Sequence, residues 1–235
     1  MRTSKSKGAA VVMMIAIVQE KMRLWTIQGI EIYEQLIREG IAYCTKPYWG
    51  EEPDFIYAYQ WMAQQMRQRI GEPPIDGIEY PMWAWYQYDS VKKRQPPRSP
   101  DTLPEGISAY MEIEVPDKDV LLSGFSIWHA VLNQCPIDDW KEIDKVVDGL
   151  KKEVGRELDY NEYPQQLRDR IEKTWEEIFN LDRRDANVGR RHKKNRSIQA
   201  AFWVLKQEYL VSVEFFKRED NVIRTIQMNS CNRER

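Results

Sequence analysis

Residues 22–40 read Met-Arg-Leu-Trp-Thr-Ile-Gln-Gly-Ile-Glu-Ile-Tyr-Glu-Gln-Leu-Ile-Arg-Glu-Gly, and the spacing of the apolar positions changes midway along the run. Arg23 to Gln28 reads as a strand, whereas Ile30, Tyr33, Leu36 and Ile37 recur at helical spacing until Gly40 supplies a stop. Toward the C-terminus, residues 41–52 look like a loop, and Pro53 then opens a helix carrying Phe55, Ile56, Tyr59, Met62, Ala63, Met66 and Ile70. Pro73-Pro74 and Asp76-Gly77 break the chain before an aromatic strand at 82–88, and a Pro-rich basic loop follows from Lys92 to Pro104.

Tyr110 to Val115 alternates, with Met111, Ile113 and Val115 on one face and Glu112 and Glu114 on the other. Pro116-Asp117 turns the chain into Val120-Leu121-Leu122. A helix with Phe125, Trp128, Val131 and Leu132 comes next, then two charged amphipathic helices over 138–154 and 164–179. Beyond a basic connection from Arg183 to Arg196, Ser197 to Leu205 and Tyr209 to Phe216 read as two closing strands. Strands at both ends with helices between them predict a single α+β domain over 22–216, built on a small mixed or antiparallel sheet rather than a doubly wound parallel one. Residues 217–235 read as a polar tail.

Toward the N-terminus, Arg2, Lys5 and Lys7 precede the apolar run Ala9 to Val18, an order superficially like a signal peptide. The run is shorter than the roughly 20 apolar residues a membrane span needs, and Gln19-Glu20-Lys21 offers no small-residue cleavage site. Residues 1–21 are therefore expected to be an extension outside the fold, with the functional protein starting at Met22.

Of the 235 residues, 42% are hydrophobic and 31% charged, so the chain has the means to bury a sizeable core. Lys and Arg number 35 against 37 Asp and Glu, so any basic site must be local. Cys44, Cys135 and Cys231 are far apart and odd in number, which fits a reducing cytoplasm better than a disulfide framework. With His129 and His192 the only histidines, a histidine-rich metal site is excluded, a carboxylate-bound Mg²⁺ is the alternative left open, and neither metal nor cofactor is expected. The chain carries no GxGxxG, GxxxxGK[ST] or GxSxG motif, which removes the common nucleotide-binding loops and the nucleophile elbow.

Five blocks stand in a recognisable order: Leu24 to Gln28, Tyr80 to Tyr86, Glu114 to Ser123, Trp175 to Phe179, and Ser197 to Trp203. In these the chain resembles a family of uncharacterised bacterial proteins, domain-of-unknown-function family 3841, over about residues 22–216. The resemblance implies a small stand-alone bacterial protein, leaves residues 1–21 outside the shared part, and implies no activity.

Tyr80 to Ser90 holds five aromatic rings within nine positions. Strand alternation puts Trp83 and Trp85 on one face and Ala84, Tyr86 and Tyr88 on the other. One set of rings belongs to the core, and the other is free to fill volume or to stack a planar ligand. Thr26, Gln28 and Gln199 interrupt segments that otherwise look fully buried, and burying such groups without partners costs roughly 1–3 kcal/mol each. They belong either to a structural hydrogen-bond network or, if their strands are neighbours, to one polar pocket, with Trp203 on the same face as Gln199. Glu112 and Glu114 have the spacing of a carboxylate pair, but an exposed strand face explains them equally. His129, beside a core stripe, fits a structural role or that of a base.

The leading expectation is a cytoplasmic module that binds a nucleotide or a single-stranded nucleic-acid base. Trp83, Trp85 or Tyr86 would stack the ring, Thr26, Gln28, Gln199 and Trp203 would line its edge, and Arg98 would meet a phosphate. A strand, a helix ending in glycine and later strands with a glutamate also resemble the order of parts in ADP-ribosyltransferases. That resemblance implies NAD as cofactor and Tyr86 with Glu208 or Glu214 in the family's Ser/Tyr and Glu positions, while Thr26 and Gln28 stand where the family has His or Arg. A third expectation is an interaction protein, one half of a toxin and antitoxin or phage-defence pair, whose exposed aromatic patch meets a protein partner. No membrane is expected among the partners.

Overall fold

In the computed structural model, which describes residues 19–45, 53–95, 105–183, 197–219 and 222–227, the opening run forms strand β1 (Lys21–Gly29) and passes at once into helix α1 (Ile30–Glu39). Gly40 ends that helix at φ +76°, a left-handed conformation suited to a residue without Cβ, and its N–H donates to the Leu36 carbonyl. The chain continues as β2 (Ile41–Tyr43), α2 (Pro53–Ile70), β3 (Met82–Gln87), β4 (Gly106–Pro116), β5 (Leu121–Gly124) and α3 (Phe125–Leu132). It closes with α4 (Trp140–Val154), α5 (Gln165–Trp175), β6 (Ile198–Phe202), β7 (Val204–Lys206), β8 (Leu210–Glu219) and β9 (Val222–Ile226).

Among the described residues, seven strands make one sheet in the order β5-β6-β3-β1-β4-β8-β9, and β2 and β7 form a separate ladder. Every neighbouring pair is antiparallel. The α+β class is therefore correct, and of the two sheet types expected it is the antiparallel one. Pleat alternation sends Leu24, Met82, Ala84, Met111, Ala200 and Phe202 to the face that also buries Leu36 of α1. Trp83, Leu121 and Ala201 point the other way, into a larger core with α2, α3, α4 and α5. There Trp61 of α2 meets Trp175 of α5 edge-on at 5.5 Å and stacks on Phe179 at 6.0 Å. Such pairs add about 0.5–1.5 kcal/mol each beyond the area they bury.

Four local expectations need correction. Residues 41–52 are not all loop, because Ile41–Tyr43 pairs with β7 and buries Ala42. Ser197 to Leu205 is not one strand: the chain leaves the large sheet at Trp203, whose indole is held by the Gly71 carbonyl at 2.9 Å, and then joins β2. The polar tail does not begin at 217, since β8 runs to Glu219 and β9 pairs with it from Phe215↔Ile226 to Glu219↔Val222. Finally, the β3–β6 register shifts between Trp85 and Gln87, a bulge that reverses the alternation beyond it. Tyr88 consequently sits on the Trp85 side, ring to ring at 5.5 Å, rather than with Ala84 and Tyr86.

Candidate functional site

β1 is fully zipped to β4, from Lys21↔Pro116 to Gly29↔Ser108, but its pairing with β3 consists of Trp25↔Trp85 alone. Past that pair the strands separate. Pro81 has no N–H to give, and the Trp83 carbonyl accepts a bond from the Thr26 Oγ1 at 2.7 Å. A cavity of about 500 Å³ lies against both diverging segments, Trp25 to Gln28 and Pro81 to Trp85. That size falls within the roughly 300–1,000 Å³ usual for small-molecule pockets.

Its walls are aromatic. Trp25, Trp83 and Trp85 come from the sheet, Phe55 and Tyr59 from α2, and Phe125 and Trp128 from α3. Phe55 and Tyr59 are four apart, and Phe125, Trp128, His129 and Leu132 follow i, i+3, i+4, i+7, so each helix presents one stripe to the cavity. The rings brace one another. Trp85 meets Phe125 at 4.7 Å and Trp83 meets Trp128 at 5.2 Å. The Trp83 Nε1 is buried without a hydrogen-bond partner among the described residues, and Tyr59 stands edge-on to that indole at 5.9 Å.

Thr26, Gln28, Cys44, Gln95, His129 and Gln199 supply the polar lining, and no Asp, Glu, Lys or Arg among the described residues joins them. Gln28 Nε2 donates to Thr26 Oγ1 at 2.7 Å, extending the relay to the Trp83 carbonyl. Gln199 is only 6% exposed, and its Nε2 donates to Ser123 Oγ at 3.2 Å. His129 Nδ1 lies 3.1 Å from the Phe125 carbonyl, which only accepts, so that nitrogen donates.

Of the residues singled out in the sequence, Thr26, Gln28, Trp83, Trp85, His129 and Gln199 all line this one cavity. They meet by a different route from the one anticipated. β1 and β6 are not neighbours, because β3 stands between them. Thr26 and Gln28 follow Leu24 on the α1 face while Gln199 shares its level and face with Trp85, and the split in the sheet brings the two sets to one space. Tyr86 lies outside, half-buried toward α1 with the Lys92 ammonium 4.5 Å above its ring. Trp203 also lies outside, in the core, with the Arg67 guanidinium over its ring at 5.3 Å.

The remaining candidates are elsewhere. Glu208 is exposed in a 3₁₀ turn (Gln207–Tyr209) and Glu214, on β8, is paired with Arg94; neither lines the cavity. Arg98 lies outside the described residues, three positions after the cavity-lining Gln95. Glu112 and Glu114 both lie against Arg23, at 3.4 and 3.0 Å, so that pair is an ion cluster on an exposed face. A second polar cluster joins the Tyr57 and Tyr160 hydroxyls to one Glu172 oxygen. Burial first and the Glu172 contact second push the Tyr57 phenol up to about 12. No group of three or more His, Cys, Asp and Glu among the described residues is placed to hold a metal ion. No helix among them is long and apolar enough to cross a membrane.

The sequence signal passed over Trp25, Phe55, Tyr59, Phe125 and Trp128 as wall residues because each also fits a core stripe. The helical stripes were visible; that two of them face a gap in the sheet was not.

The fold and cavity define a class: an antiparallel α+β protein whose sheet is parted at an aromatic pocket. A family described as domain of unknown function (DUF3841) matches residues 23–211, and the chain belongs to that family. No curated protein and no solved structure matches it.

Proposed function

We propose that the protein binds a planar heteroaromatic ring, the base of a nucleotide or of a single-stranded nucleic acid, in the cavity between β1 and β3. The observation that carries this reading is the convergence of Trp25, Trp83 and Trp85 with the Gln28 and Gln199 amides on one 500 Å³ space. Stacking on such a side chain is worth about 1–3 kcal/mol per base. Trp85 is the stacking residue, Gln28 and Gln199 meet the ring's edge, and Arg98, which lies outside the described residues, is the candidate of the sequence for a phosphate. The module works in the cytoplasm, where its thiols stay reduced.

The NAD-cleaving alternative is less favoured, because Glu208 and Glu214 lie away from the cavity. A protein partner fits less well too, since the rings of β3 are buried or half-buried and Trp140, 54% exposed, stands apart on α4. Calorimetric titration with mononucleotides and short single strands at low salt tests the proposal. Binding that Trp85→Ala weakens by roughly 5- to 150-fold is expected. No binding to any of them, or binding indifferent to Trp85→Ala, refutes it.

A further inference from the structure

Three buried side-chain polar atoms have no hydrogen-bond partner among the described residues: Trp83 Nε1, Ser108 Oγ and Asp117 Oδ1. Of these residues, Trp83 alone lines the cavity. An indole N–H in a protein interior ordinarily finds an acceptor, and two others here do: Trp175 Nε1 donates to the Cys135 carbonyl at 2.8 Å and Trp203 Nε1 to the Gly71 carbonyl at 2.9 Å. The Trp83 indole is packed instead by rings, Trp128 at 5.2 Å and Tyr59 at 5.9 Å, and an aromatic face is a weaker acceptor than a carbonyl. Both of those rings also line the cavity. As they stand the nitrogen is closed to solvent, so an acceptor meets it only when one of them gives way.

We infer that Trp83 is a specificity-determining residue, and that the cavity selects heteroaromatic rings with a pyridine-type nitrogen in the edge turned to its indole N–H. This rests on the ring-binding reading above. Trp83 and Trp85 are two apart on β3 and share a face, so a ring stacked on Trp85 carries its edge toward Trp83. A ring nitrogen holds its lone pair in the ring plane and flush with that edge, which suits a donor hemmed in by aromatic walls. A ring with C–H at that position leaves the N–H unpaired in the complex and is disfavoured, as buried polar sites disfavour analogues lacking the matching group.

The test is calorimetric titration with adenosine against its 1-deaza, 3-deaza and 7-deaza analogues, and with nicotinamide against benzamide, sets whose members differ by one ring nitrogen replaced with C–H. For the set that binds, one replacement should weaken binding about 10-fold or more, the fold-change expected of one hydrogen bond to a buried group. In Trp83→Phe, which keeps a ring and removes the donor, that replacement should make no difference. In the wild-type protein the Trp83 indole proton should move further downfield with the nitrogen-bearing member than with its C–H counterpart. Equal affinities throughout the wild-type set overturn the inference and leave ring stacking intact. Discrimination that survives Trp83→Phe, or an indole proton that responds alike to both members, overturns it as well. Failure of every probe and nucleotide to bind removes both readings together. The indole resonance is read on the wild-type protein and decides the question if a thermal melt shows that Trp83→Phe does not fold.

Discussion

Replacing Thr26 by valine removes a hydroxyl and keeps the shape, and the structure says what the hydroxyl is for. Thr26 is 1% exposed, its Oγ1 donates to the Trp83 carbonyl at 2.7 Å, and it accepts from Gln28 Nε2 at 2.7 Å. Where β1 and β3 part, this bond reaches across to the Trp83 carbonyl. Thr26→Val removes that donor from the buried oxygen, at a cost of about 1–3 kcal/mol. The half-buried Gln28 amide turns to solvent and adds little. Thr26→Ser keeps both bonds and loses one methyl group, about 0.8 kcal/mol. Urea unfolding followed by circular dichroism measures both, and a thermal melt should move by about 2–4 °C for each kcal/mol. Valine less stable than serine is the predicted order. A valine variant equal to or more stable than serine refutes the idea that the hydroxyl bridges the gap.

Trp203→Phe should cost about 1–2 kcal/mol, because it deletes the bond to the Gly71 carbonyl and weakens the contact with Arg67. Calorimetric affinity for a cavity ligand should be unchanged, since Trp203 lies outside the lining. At alkaline pH the Tyr57 phenol, raised from 10.0 to about 12, favours folding while protonated. Its contribution is whole below pH 10 and is lost as pH climbs through about 12, a loss that stability-versus-pH curves should show reduced in Tyr57→Phe. In acid, the Arg183 guanidinium, which bonds both Asp138 oxygens at 2.7 Å, holds that carboxyl below its usual 3.8. Its contribution is present above that value and lost as pH falls below it, so Arg183→Met should cost about 1 kcal/mol at neutral pH and progressively less in strong acid.

The helices were legible because each is an amphipathic stripe with a clear stop. Pro53–Ile70 begins at the expected proline and ends at Gly71, and Phe125–Leu132 coincides with its apolar repeat. Strand positions were legible for the same local reason, but strand neighbours were not. Nothing in Leu24 to Gln28 or in Met82 to Tyr86 says that they pair at one position and then separate; that follows from how β4 and β6 hold their other flanks. The short strands Ile41–Tyr43 and Val222–Ile226 escaped notice because three or five residues carry too little pattern and are defined by their partners. Six site residues emerged from the sequence because polar groups in apolar strands, and dense rings, are locally anomalous. The wall residues on α2 and α3 look like ordinary core until the gap they face is known.

The nine tryptophans provide a direct readout, because each indole N–H gives its own proton–nitrogen resonance. Titration of the labelled protein with adenosine should move the signals of Trp25, Trp83, Trp85 and Trp128, which line the cavity, and leave Trp140, Trp175 and Trp203 in place. Shifts confined to the second group, or no shift at saturating nucleoside, would contradict a ring-binding site between β1 and β3.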